Sequence, residues 1–275
     1  MPAGAAVRCS RLLRIYPSAA GETHALRGVD AEFAAGAVTA ITGPSGSGKT
    51  SLLAIMALLE RQDGGELTVL GRDVDAMSRR ALQRLRRRSV ALVPQRPTDS
   101  LYPHLTVRQH LAQVARLRGA PVAAADAAVL AVGLQERADA VPGRLSGGEQ
   151  QRLGVAVAGV GEPPVLVADE PTAELDDSTS ALVLDELARC AAAGSCVIVA
   201  THDPRVVAVA DRVLALRHGV LSGDRQRDGA LTAPIDSTGR LQLPPEALAL
   251  FPDGRAEVVV EPDGVRLLPG GRTPR

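Results

Sequence analysis

Gly43-Pro44-Ser45-Gly46-Ser47-Gly48-Lys49-Thr50 is the stretch whose reading decides the fold. An apolar run, Val38 to Thr42, feeds it, and a helical pattern from Lys49 to Glu60 leaves it. G-x-x-x-x-G-K-T between a strand and a helix is a phosphate-binding loop. Its glycines let backbone N–H groups turn inward around a polyphosphate, and the helix then aims its positive dipole end at the same anion. Lys49 is placed to reach β- and γ-phosphates, and the Thr50 hydroxyl to ligate Mg²⁺. A Gly/Ser loop that only capped a helix would not need Lys-Thr at this offset. The stretch therefore predicts a nucleoside-triphosphate site in an α/β domain.

Working outward, Val7 to Tyr16 and Ala25 to Phe33 read as strands around the turn-rich segment 17–22. Tyr16 is either a half-buried strand tyrosine or a ring that stacks on a base. Downstream, the strand Ser89 to Val93 ends at Pro94-Gln95, and the Gln95 amide oxygen is a candidate Mg²⁺ ligand. Before it, residues 76–88 read as a helix with an arginine-rich face, either solvated or a docking patch. Residues 105–139 read as helical, broken at Gly119-Ala120-Pro121. Then comes Leu145-Ser146-Gly147-Gly148-Glu149-Gln150-Gln151-Arg152. Ser146 with Glu149 three residues on makes a capping box. The two glycines after the serine also expose backbone N–H groups at a helix start, a second anion cradle.

Composition narrows the classes. The chain has 275 residues, with 31 Lys+Arg against 31 Asp+Glu, so no long-range attraction to nucleic acid follows. Aromatic residues make up only 1%, so the core must be aliphatic. Cys9, Cys190 and Cys196 form no C-x-x-C pair, and reduced thiols are expected. No apolar run approaches a membrane span and the N-terminus shows no signal-peptide core. The chain is expected to be soluble, any membrane role coming through a partner.

Leu145 to Arg152 resembles the signature motif of ATP-binding-cassette (ABC) ATPases, and the remainder follows in family order. Val165 to Glu170 resembles Walker B, Ala173-Glu174-Leu175-Asp176 the D-loop and Thr201-His202-Asp203 the switch histidine; Gln95 falls on the Q-loop and Tyr16 on the adenine-stacking A-loop. The resemblance covers residues 1 to about 222. It implies the ABC form of the P-loop NTPase fold, with a mixed core sheet, an antiparallel β subdomain and a helical subdomain.

The resemblance also implies roles. ATP and Mg²⁺ are the expected ligands. Gly43 to Ser51 hold the phosphates, and Thr50, Gln95 and Asp169 serve the metal. Glu170 is the general base and His202 the γ-phosphate donor, with Gln95 beside them. Ser146, Gly147 and Gly148, with Asp176, should contact nucleotide held by a second subunit, giving a head-to-tail dimer. Lys49-Thr50-Ser51 keeps hydroxyls where the family usually has Ser-Thr; Val157 replaces a frequent arginine, and Glu174 a small or amide residue. No catalytic group is lost.

Residues 223–234 read as a polar linker, and 235–275 as a small β-rich unit that resembles the swapped-hairpin domain of AbrB-type regulators through Gly239-Arg240-Leu241-Gln242-Leu243-Pro244. Its acidic balance points to dimerisation or regulation, with no nucleic-acid partner expected. A repair ATPase of this family would carry a long coiled-coil insertion, yet only 94 residues (51–144) separate Thr50 from Leu145. A translation member would carry two cassettes. The alternative is a soluble ABC ATPase acting through its tail. Transport is favoured: a cassette peripheral on the cytoplasmic face of the cell membrane, driving a separate permease. The segment Leu67 to Gln95 resembles the lipoprotein-release and macrolide-export type.

Overall fold

A computed structural model of the chain describes residues 5–18, 21–173, 175–227, 229, 232–233, 235, 241, 243, 245–261 and 264–269. In chain order, β1 (Ala5–Ser18) and β2 (Gly21–Ala34) form a hairpin, and β3 (Ala37–Thr42) leads through the glycine loop into α1 (Lys49–Met56). Next come β4 (Gly64–Val69), β5 (Arg72–Asp73), α2 (Arg79–Ser89) and β6 (Val90–Val93). Two helices, α3 (Val107–Arg118) and α4 (Ala123–Ala131), precede α5 (Gly147–Gly159). Then β7 (Val165–Asp169), α6 (Asp177–Ala192), β8 (Cys196–Ala200) and α7 (Pro204–Val209) lead to a second hairpin, β9 (Arg212–Arg217) and β10 (Val220–Gln226). The tail holds α8 (Pro245–Leu248) and the hairpin β11 (Ala256–Glu261), β12 (Gly264–Pro269).

The central sheet has the order β10-β9-β3-β8-β7-β6, with β10 antiparallel at one edge and the other pairs parallel. A second, antiparallel sheet runs β2-β1-β4-β5. Strands β7 and β8 are buried along their whole length, as continuous apolar runs covered on both faces must be. One core lies between the two sheets and closes on α1, whose Leu52, Leu53, Ile55 and Met56 are all buried. A second packs α5 and α6 on the opposite face, and a third fills the helical subdomain around α3, α4 and α5. Phe33 is the one fully buried aromatic among the described residues. The three cysteines are buried and unbonded.

This strand order sets the carboxyl ends of β3, β8, β7 and β6 side by side, the edge at which open α/β sheets bind ligands. Among the described residues no helix is long and apolar enough to cross a membrane.

The structure corrects several boundaries. Helix α1 stops at Met56 instead of Glu60, because the chain turns with Leu58 at φ 57° to bury that side chain. Helix α2 begins after Ser78, whose side chain accepts from Ala81 N–H, so residues 76–78 lie outside it. Beyond α4 the expected helix gives way to a 3₁₀ turn at Gln135–Arg137. The cassette does not end at Ser222. Strand β10 runs to Gln226, Arg212 Nε donates to Asp224 Oδ1 at 2.8 Å, and Asp224 bridges Thr232 through both main-chain groups, so 223–226 belong to the sheet and not to a linker. In the expected opening strand of the tail, the described residues Ile235 and Leu241 pair in an isolated antiparallel bridge. Gly239, Arg240, Gln242 and Pro244 of that stretch, and Glu174, lie outside the described residues.

Candidate active site

The glycine loop is shaped by contacts that only glycine allows. A Cβ at Gly48, where φ is +103°, would stand 2.3 Å from the Ala25 carbonyl oxygen, and one at Gly43 2.1 Å from that of Leu216. The loop therefore runs hard against both sheets. Lys49, in the first turn of α1, donates from Nζ to the carbonyls of Gly43 (2.7 Å) and Pro44 (3.0 Å). The buried hydroxyl of Ser47 has no hydrogen-bond partner.

Across from the loop, Thr50 Oγ1 donates to Asp169 Oδ2 at 2.9 Å. Burial raises the Asp169 pKa, the Thr50 hydrogen bond opposes that, the Glu170 charge adds to it and Lys49 pulls it back. A cation placed here would offset that desolvation. Among the described residues no three His, Cys, Asp or Glu side chains cluster as a metal cage. One carboxylate beside a hydroxyl, with Gln95 at the neighbouring strand end, fits Mg²⁺, which shares few protein ligands with phosphate oxygens and water.

Glu170 follows β7 with φ 48°, a left-handed conformation that costs a non-glycine residue about 1 kcal/mol. Its N–H donates to the Ala200 carbonyl at 2.9 Å, which turns the side chain toward the end of β8. There Oε1 lies 2.8 Å from His202 Nδ1, and Oε2 accepts the His202 N–H at 3.3 Å. The histidine side chain is 79% exposed and stands at the mouth of the cleft. Asp203 anchors the turn behind it. Its carboxylate accepts from Thr172 Oγ1 (2.6 Å) and from Arg205 Nη2 (2.8 Å), and the Arg205 bonds hold its pKa down to about 2.

These groups line one cleft of 660 Å³, which gathers Tyr16, Gly43 to Gly46, Gly48 to Ser51, Gln95, Asp169, Glu170 and His202. Sequence reasoning missed Thr23, His24 and Ala25 on β2, and read Ala173 only as the start of the D-loop stretch. The pairing of Tyr16 with Thr23 and of Ile15 with His24 brings the β2 residues in, and the hairpin pattern around segment 17–22 was the available signal.

Ser146, Gly147, Gly148 and Asp176 do not line this cleft. Ser146 and Glu149 form the reciprocal capping box of α5, at 3.2 and 2.8 Å. A Cβ at Gly148 would meet Leu175 Cδ2 at 3.3 Å, but one at Gly147 would meet nothing within 4 Å. Packing within the chain therefore gives no reason for glycine at 147. Asp176 caps α6, accepting from Thr179 N–H at 2.8 Å and Ser178 Oγ at 2.7 Å.

The family model described as ABC transporter matches residues 26–173. Macrolide export ATP-binding/permease protein MacB of Chlorobium luteolum is 37% identical over 256 residues, 88% of this chain and 38% of that protein. The chain thus spans well under half of that relative's length. Lipoprotein-releasing system ATP-binding protein LolD 2 of Caulobacter vibrioides is 38% identical over 219 residues, 78% of this chain and 95% of that protein. Among solved structures, the dimeric post-hydrolysis state of the ATP-binding cassette MJ0796 bound to ADP and phosphate superposes with TM-score 0.75 at 27% identity, covering 82% of this chain and all of that one.

Proposed function

The chain belongs to the ABC transporter family as an ATP-binding, ATP-hydrolysing subunit, and from that premise we propose that two copies close head to tail over two ATP molecules to drive a separate membrane permease. The observation that carries this reading is the split of the phosphate-binding elements. The glycine loop, Asp169, Glu170 and His202 share one cleft, while Ser146, Gly147 and Gly148 lie outside it, with open space at Gly147. A second copy presenting its α5 N-terminus to the cleft completes the site.

In that site Lys49 leaves its two loop carbonyls for the β- and γ-phosphates, and Tyr16 stacks on the base. Thr50, Gln95 and Asp169 would hold Mg²⁺, which when bound neutralises charge on the phosphate oxygens. Glu170 orients a water for in-line attack and takes its proton as the P–O bond to ADP breaks. His202, held at Nδ1 by Glu170, donates to the γ-phosphate oxygens as their charge develops.

Both curated relatives are named for export or release, which supports an exporter-type system and a location on the cytoplasmic face of the membrane. The tail reading is dimerisation. In the β11–β12 register Ala256, Val258 and Val260 oppose Pro269, Leu267 and Val265, giving one face without a charge. Val258, Val260 and Val265 are 60%, 77% and 61% exposed, and a lone two-stranded hairpin is marginal in water. A second copy of the hairpin is the occupant that the cassette dimer brings near.

The test is Gly147→Arg. The open space at 147 lets the variant fold and bind ATP as the wild type does, while the ATP-dependent dimer disappears in sedimentation. A variant that still dimerises with ATP overturns the head-to-tail reading.

A further inference from the structure

The two ends of the nucleotide cleft are built on different sheets. The phosphate loop leaves β3 of the central sheet, and Tyr16 stands on β1 of the antiparallel sheet. A base platform is useful only if its distance from the phosphate loop is fixed, and Arg14, Glu60 and Asp63 form a cluster that fixes it.

Glu60 lies four residues past α1, the helix that the phosphate loop opens. Its Oε2 accepts the Tyr16 hydroxyl at 2.7 Å. The same oxygen accepts Arg14 Nη2 at 2.8 Å and Nε at 3.0 Å. Arg14 Nη1 also reaches both Asp63 oxygens, at 3.1 and 3.2 Å, and Asp63 Oδ2 accepts the Ile15 N–H at 2.7 Å. Arg14 and Tyr16 are two residues apart on one strand and so share a face of it. The guanidinium carbon stands 4.4 Å from the centre of the Tyr16 ring. Tyr16 lines the cleft and Arg14 does not, so the arginine backs the ring face turned away from the cleft.

A tyrosine needs one hydrogen bond to be satisfied; this one is also held by a cation over its rear face, which sets the ring plane as well as the position of the oxygen. The Arg14 side chain is 20% exposed, so solvent screens the contact only in part.

We propose that Glu60 and Arg14 are positioning residues for the nucleobase, Glu60 as a strut from the segment just after the phosphate-loop helix to the Tyr16 hydroxyl and Arg14 as the backing of the ring. This rests on the reading of Tyr16 as the base platform. The cluster delivers the open ring face at a set distance from the phosphate site, so stacking does not pay to order the side chain.

The experiment compares two probes that share the phosphate site but not the base. Dissociation constants for ATP and inorganic tripolyphosphate, both with Mg²⁺, are measured on the full chain, and the ratio of the tripolyphosphate constant to the ATP constant isolates the base. Tyr16→Ala should cut the ratio by about tenfold, as loss of one stacked base implies. Glu60→Ala and Arg14→Met should each cut it by about three- to fivefold through lost pre-organisation, with tripolyphosphate affinity unchanged. Glu60→Gln, which keeps an acceptor, should restore most of the loss. A merely structural role would lower the folded fraction and weaken both probes alike, leaving the ratio at its wild-type value. That result for Glu60→Ala and Arg14→Met, with Tyr16→Ala still effective, overturns the proposal alone. An unchanged ratio in Tyr16→Ala overturns the platform reading and the proposal with it.

Discussion

Gln151, early in α5, donates from Nε2 to the carbonyl of Pro171 at 3.1 Å, and both residues are buried. The bond joins the helix that starts at Ser146 to the turn directly after Glu170. The turn continues into Thr172, whose hydroxyl donates to Asp203 beside His202. One side chain thus connects the start of α5 to the Glu170 and His202 end of the chain's own cleft. Replacing Gln151 by Leu keeps the volume but strands the Pro171 carbonyl, at a cost of about 1–3 kcal/mol. The melting temperature should fall by about 3–8 °C. ATP affinity should hold, since no loop residue moves, while turnover drops. Calorimetry and ATPase assays on one preparation decide it; a variant with wild-type turnover would show that the bond is only structural.

Glu170→Gln keeps a side chain of the same shape against His202 but cannot take a proton from water. Hydrolysis should slow by at least about a hundredfold, the usual worth of a general base, with MgATP affinity near normal. The variant should accumulate as an ATP-bound dimer. Near-normal turnover would remove Glu170 from that role.

The cleft was legible where one local segment carries its own chemistry. Gly43 to Thr50 and the apolar strands ending at Asp169 and Ala200 each signal through spacing inside a dozen residues, and Ser146 with its two glycines signals in the same way a helix start that lies outside the chain's own cleft. What stayed hidden depends on pairing across long separations. Glu60 and Asp63 meet Arg14 some 46 and 49 positions away, so neither reads as a neighbour of β1 until that strand and the segment after α1 are packed. The sequence places Asp176 only with nucleotide of a second subunit, whereas within the chain it caps α6. Strand β10 was cut short because Gly223 to Gln226 is polar, yet an edge strand needs no apolar face when Asp224 pairs with Arg212. Helix α1 ends early although residues 57–60 are good helix formers, because tertiary burial of Leu58 outweighs propensity.

Asp169 should make the protein less stable in the absence of Mg²⁺. Its folded pKa is raised, chiefly by burial, so the ionised form is the one disfavoured in the fold. The penalty is absent below the carboxylate's unfolded pKa, grows as pH rises through the folded pKa and persists at neutrality. Asp169→Asn keeps an oxygen to accept the Thr50 hydroxyl and carries no charge. It should melt higher than wild type at pH 7 without metal, lose that advantage in acid, and lose the thermal shift that MgATP gives the wild type. A lower melting temperature at pH 7 would contradict the sign.

Asp203 acts in the opposite direction. Its pKa falls from 3.8 to about 2, mainly through Arg205, so it stabilises the fold above pH 4 and that contribution is lost as pH drops toward 2. The shift corresponds to about 2 kcal/mol. Asp203→Asn should lower the urea midpoint at pH 7 and converge on wild type only as pH falls through about 2. Parallel curves across that range would show that the ionised carboxylate contributes nothing.

The tail can be separated from the cassette only at the right place. A chain ending at Ser222 lacks half of β10, the Asp224 partner of Arg212 and the bridge to Thr232, so it should lose stability for reasons unrelated to the tail. A chain ending at Ala233 keeps all three and removes the β11–β12 hairpin with its exposed valines. If two hairpins cover each other, they hold two cassettes at a raised effective concentration. The Ala233 truncation should then bind ATP as the full chain does, dissociate to monomers without nucleotide, and show reduced ATPase activity at dilute protein. Raising the protein concentration should restore that activity, because the closed dimer itself is intact and only the encounter has become rarer. Sedimentation of both chains without nucleotide is the deciding measurement. Matching monomers would exclude a dimerising tail, and matching dimers would place the nucleotide-free interface in the cassette.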